Sequence, residues 1–134
     1  EIKQKILEYN LQNMVIFTGY VKDEALPAIY QSATALLFPS IREGFGIPIL
    51  EAFQNGLPVA AANSTAIPEV TGNAAILFNP FDTEEIANAM NQLVSNPVLR
   101  QRLINRGYKR ANQFDWDNSA EKLIRLFEDL YTNL

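Results

Sequence analysis

The chain has 134 residues, 48% of them hydrophobic, enough for one domain with a real core and too few for two. A formal net charge of −4 without a basic cluster argues against nucleic acid or an anionic membrane surface as a partner. Cysteine and histidine are absent, which removes thiolate and imidazole chemistry, disulfides and the usual zinc sites, and fits a reducing cytoplasm.

Taken in order, Ile2, Ile6 and Leu7 share one helical face, and polar residues 10–13 separate them from the apolar strand Val15-Ile16-Phe17. Gly19, Tyr20 and Val21 follow at that strand's carboxyl end. Asp23 can cap a helix in which Leu26, Ile29, Tyr30 and Ala33 face inward. Residues 35–38 form a second strand, stopped by Pro39. A helix containing Pro48 in its first turn and ending at Asn55-Gly56 comes next. Residues 58–62 make a third strand of small residues, and a polar loop, 63–66, leads to a short helix opened by Pro68 and closed by Gly72. Residues 75–78 are the fourth strand. Ile86, Ala89, Met90, Leu93 and Val94 then keep helical spacing; Asn96-Pro97 breaks it and starts a helix carrying Leu99, Leu103, Ala111 and Phe114. Asp115 caps a last helix with Ala120, Leu123, Ile124, Phe127, Leu130 and Tyr131 on its apolar face. Strands alternating with helices at this spacing imply an α/β fold, a doubly wound, Rossmann-like parallel sheet of about four strands with helices on both faces. No apolar run approaches the ~18 residues of a membrane span. Glu1 stands inside what reads as the end of a helix, so the chain is expected to be a fragment.

Chemistry concentrates in residues 38–56, where an apolar strand, a glycine loop and an amphipathic helix meet. Gly44 and Gly46 flank Phe45 and let the backbone adopt conformations closed to other residues. Free N–H groups and the positive helix end at Gly46-Ile47 then point out of the carboxyl edge of the sheet, where a phosphate would be held. Glu43 lies on the loop side of that point, and Glu51 follows roughly 6 Å further along the helix axis. A carboxylate accepts two hydroxyl hydrogen bonds at once, so a diphosphate between two hydroxyl-rich groups suits the arrangement. Read from residues alone, Glu43 is equally a solvated loop charge and Glu51 an ordinary helix-surface glutamate.

The span from Glu43 to Glu51 resembles the E-x7-E signature of retaining glycosyltransferases of the GT-B fold, the glycosyl transferases group 1 family. Phe17-Thr18-Gly19-Tyr20-Val21, the helix over 26–33, Phe38-Pro39-Ser40, Gly56-Leu57-Pro58-Val59, Ile67-Pro68-Glu69-Val70 and Phe114-Asp115-Trp116 fall in the family's order. The resemblance therefore spans nearly the whole chain. It implies a partial nucleotide-sugar donor domain over residues 1–134, the truncated C-terminal half of a GT-B enzyme. Two further strands and the diphosphate-clamping basic residues would precede it, and a separate N-terminal domain would bring the hydroxyl acceptor.

By the same resemblance Glu43 would accept hydrogen bonds from donor-sugar hydroxyls and serve catalysis. Gly44, Phe45, Gly46 and Ile47 would present N–H groups to the sugar and diphosphate, Glu51 would hold the ribose, and Gly19, Tyr20 and Val21 would meet the base. The implied reaction needs no cofactor and no metal, and a cytoplasmic location follows. Ser64 and Thr65 read as loop and cap residues or as ligand contacts, and Glu69 as a brace for its helix. Asp115-Trp116-Asp117 is a D-x-D, the metal-holding motif of the other large glycosyltransferase fold, yet acids in a first helical turn have an ample structural reason. The isolated fragment is expected to bind donor weakly and to transfer nothing, and its open sheet edge offers a route to self-association. A non-catalytic nucleotide-sugar-binding or assembly module of the same fold is the alternative. A phospho-receiver domain lacks its acidic cluster here, and no G-x-G-x-x-G follows a strand to support a dinucleotide oxidoreductase.

Overall fold

The computed structural model describes residues 1–132. At its centre three parallel strands lie in the order β1 (Leu36–Phe38), β2 (Val59–Ala62), β3 (Ala75–Phe78). Leu36 is in register with Val59 and Phe38 with Ala61; on the far side Val59 meets Ala75 and Ala62 meets Phe78. Every residue of β2 is buried. Because successive strand side chains leave opposite faces, the sheet is covered on both sides at its centre.

Parallel neighbours require crossovers, and α3 (Ile47–Gln54) and α4 (Ile67–Thr71) supply them. Ile49, Ala52 and Phe53 of α3 are fully enclosed, as the apolar spacing of that helix dictates. Two longer helices, α5 (Thr83–Ser95) and α6 (Pro97–Ala111), follow β3. Each is started by a side-chain cap: Asp82 Oδ1 accepts the N–H groups of Glu84 at 2.9 Å and Glu85 at 3.1 Å, and Asn96 Oδ1 accepts that of Leu99 at 2.9 Å. Where α6 lies against α3, Gly107 faces Phe53, and a Cβ there would stand 2.8 Å from the ring. Arginines of α6 then satisfy carbonyls that other elements leave without partners. Arg100 donates to Leu93 and Val94 at the end of α5, Arg106 to Asn73, and Arg110 to Glu69 and Val70 in α4.

The ends of the chain depart from expectation. Residues 15–17 form no strand, and Ile16 is 85% exposed. Strand backbone is ordered by a ladder of hydrogen bonds, and among the described residues nothing lies alongside to provide one, so the sheet has three strands where about four are expected. Two terminal helices, α1 (Ile2–Glu8) and α7 (Trp116–Thr132), take the predicted conformation but bury no residue. The helix α2 (Leu26–Ser32) is entered through a 3-10 turn over Asp23–Ala25, and the Asp23 side chain makes no capping bond. Among the described residues no helix is long and apolar enough to cross a membrane.

Candidate functional site

Beyond β1 the chain runs through Pro39 and Ser40 into the loop that ends at Gly46, the residue capping α3. Gly46 has φ of 102°, in the left-handed region, which favours glycine, and a Cβ would also press on Ile49 Cδ1 at 3.3 Å. Gly44 differs. A Cβ there would touch nothing within 4 Å and its φ is not left-handed, so only one of the two glycines is demanded by the backbone. Among the described residues no protein acceptor takes the N–H groups of Phe45, Gly46 or Ile47, which stand at the positive end of α3.

Each expected glutamate is half-buried and each receives a hydroxyl. Ser40 Oγ donates to Glu43 Oε1 at 2.7 Å, while the Glu43 N–H donates to Thr65 Oγ1 at 3.1 Å. Ser64 Oγ donates in turn to the Ser40 carbonyl at 2.9 Å. Ser64 and Thr65 thus stitch the glycine loop to the segment leaving β2. Thr65 does so with φ of 47°, an unfavourable conformation for a β-branched residue, and strain of this kind collects at functional sites. On the other side of the bend, Tyr30 of α2 donates its phenol hydrogen to Glu51 Oε2 at 2.9 Å. Burial, then the hydrogen bond to Glu51 and its negative charge, push the Tyr30 phenol up to about 12.

A cleft of about 570 Å³ opens beside the bend, with Phe45, Ile47, Leu50, Glu51, Phe114 and Trp116 among its walls. Phe114 sets its shape by meeting Phe45 edge to face, with ring centroids 5.6 Å apart and planes at 86°, while the Arg110 guanidinium lies 4.8 Å from the Phe114 centroid on its face. The cleft brings Phe45, Ile47 and Glu51 together. Glu43 is not among its walls, and neither are Gly19, Tyr20 or Val21; Tyr20 is 88% exposed. Asp115 Oδ1 accepts the Asp117 N–H at 3.2 Å, the geometry of a helix cap, and among the described residues no three acidic side chains gather.

Sequence reasoning passed over Ser40, Tyr30 and Phe114. For Tyr30 a signal existed: an inward-facing tyrosine on an apolar stripe carries a hydroxyl that needs a partner. Thr65 was expected in the loop at the carboxyl edge, but nothing announced its left-handed backbone, since glycine or asparagine is the residue associated with that conformation.

A parallel α/β sheet with a glycine bend opening onto a helix at its carboxyl edge defines the chain as a Rossmann-like domain, here of the GT-B type. Residues 1–110 match the family described as Glycosyl transferases group 1, and the chain belongs to that family. It is 37% identical over 117 residues to O-antigen chain mannosyltransferase B of Escherichia coli, a match that takes 87% of this chain and 31% of the relative. Sucrose-phosphate synthase from Thermosynechococcus elongatus superposes with a TM-score of 0.88 at 28% identity, over 99% of this chain and 34% of that one. The Anabaena HepE protein in complex with UDP and glucose superposes with a TM-score of 0.86 at 25% identity, over 96% of this chain and 35% of that one. The chain thus spans about a third of the length of these three proteins.

Proposed function

We propose that this chain is the donor-binding part of a retaining glycosyltransferase, which moves a sugar from a nucleoside diphosphate to a hydroxyl of a glycan, lipid or polysaccharide precursor in the cytoplasm. One observation carries the reading: Glu43 and Glu51, half-buried and each held by a hydroxyl, flank a left-handed Gly46 beside which three backbone N–H groups find no acceptor among the described residues. Those N–H groups at a positive helix end suit the diphosphate. Glu43 takes the hydroxyls of the donor sugar, Glu51 those of the ribose, and the backbone of Gly19, Tyr20 and Val21 takes the base. The structural likeness to an Anabaena protein in complex with UDP and glucose supports a nucleotide-sugar donor.

With no histidine or cysteine in the chain, its share of the work is positioning and stabilising charge. The helix end and the loop N–H groups draw negative charge as the leaving diphosphate develops it, and the two carboxylates hold the sugar and pentose in line. The test is sugar transfer by the full-length protein. Glu51→Gln and Glu43→Gln should each lower it by about 100-fold, the order seen when a positioned polar partner of the reacting group is removed. An assembly module would keep its function with both substitutions, and unchanged transfer by either variant would refute the role given to that glutamate. The chain by itself should bind donor weakly and transfer nothing.

A further inference from the structure

Glu51 stands on the surface row of α3, where an unrestrained glutamate side chain samples many rotamers. Here it does not stand free. The phenol of Tyr30 reaches across from α2 to its Oε2, and the neighbouring residue on α2 makes a second tie: Gln31 Nε2 donates to Asn55 Oδ1 at 3.2 Å. Asn55 Nδ2 donates in turn to the Glu51 carbonyl at 2.9 Å. Side chain and backbone of one glutamate are therefore both fixed from α2. A donor hydrogen occupies one carboxylate oxygen, while Oε1 and the remaining lone pair of Oε2 stay available to hydroxyls arriving from the cleft that Glu51 lines.

We infer that Tyr30 is a positioning residue for nucleotide binding: it holds the Glu51 carboxylate in the rotamer that receives the vicinal diol of the ribose, so the ordering is completed before the ligand arrives. This rests on the ribose role proposed above for Glu51. Preorganisation of this kind raises affinity by removing an ordering cost from the binding step. The phenol serves as donor across the whole neutral range, since it is pushed up to about 12. Tyr30 is the residue suited to the task because its ring packs against the core while its tip is polar.

The experiment titrates the full-length protein by calorimetry with whichever of UDP, GDP and ADP binds best, and with the 2′,3′-dideoxy form of the same nucleotide. Tyr30→Phe removes one oxygen and leaves the packed ring, and a thermal scan of the unliganded variant verifies the fold. The expected result is a loss of about 5- to 10-fold in affinity for the ribonucleotide, with the dideoxy nucleotide bound as by wild type. Glu51→Gln should erode the same preference, and the double variant should bind no more weakly than Glu51→Gln alone, because the two residues act through one contact. Equal weakening of both nucleotides by Tyr30→Phe, no change in either, or additive losses in the double variant would overturn the inference while leaving Glu51 in place. If Glu51→Gln keeps the full preference for the ribonucleotide, the ribose reading itself falls and takes this inference with it.

Discussion

Phe53 and Phe127 are the same residue, each on the apolar stripe of its helix, yet the first is 1% exposed and the second 62%. The difference separates two regions. Between β1 and α6, each apolar stripe meets a sheet face or another helix, and fully enclosed residues run from Ile49 to Leu103. In α1, residues 15–17 and α7 no residue is buried, although Lys3 of α1 reaches over the Phe17 ring and Trp116 borders the cleft. Pattern specifies which face of an element is apolar; it takes a partner to turn that face into stability.

Truncating the two phenylalanines sharpens this most. Phe53→Ala should cost about 3–5 kcal/mol in urea denaturation, the range for emptying a large core site, whereas Phe127→Ala should stay within ~0.5 kcal/mol. Comparable losses would break the comparison and mean that α7 is covered in solution. Gly107→Ala comes next: the added methyl meets Phe53, and overpacking of about 1–3 kcal/mol outweighs the ~1 kcal/mol a helix gains from alanine. Gly44→Ala, with open space around it, should be nearly neutral in the same assay. Smaller again is the cap contrast. Asn96→Ala should lose about 1 kcal/mol in that measurement because it frees the Leu99 N–H, while Asp23→Ala, whose side chain caps nothing, should lose almost none.

The last contrast is one of pH. Tyr30 is raised from 10.0 to about 12 in the folded state, so its protonated form is the favoured one there; its contribution is complete below pH 10 and fades as pH climbs through 12. Denaturation of wild type and Tyr30→Phe at pH 9 and again near 12 should show their stability difference shrinking at the higher pH. A constant difference would mean that the phenol is not held by Glu51.

Against this division, the legibility of the sequence is uneven for a physical reason. The strands at β1, β2 and β3 agree with their apolar runs to within a residue, and the start of α6 follows from Asn96-Pro97, because local chemistry and tertiary surroundings favour the same outcome there. The strand expected over 15–17 fails because a strand is a relation between segments, and composition cannot supply the second one. At the site, the left-handed bend at Gly46 was readable, since glycine has few other reasons to precede a helix beginning Ile-Pro. What was hidden were contacts across sequence distance: Ser64 and Thr65 against residues 40–43, Tyr30 against Glu51, Phe114 against Phe45. Each joins residues at least 20 positions apart, where no periodicity carries information.

The attachment of α2 has a consequence for motion. No residue of that helix is fully enclosed, and its hydrogen-bonded ties to α3 are the Tyr30 and Gln31 side chains, so lifting it away costs little more than those bonds and the packing of the Tyr30 ring against the core. Its amide protons should therefore exchange with solvent long before those of β2, and a pentose clasped by Glu51 would slow that exchange. Exchange in α2 with and without nucleotide therefore measures how firmly that helix is seated.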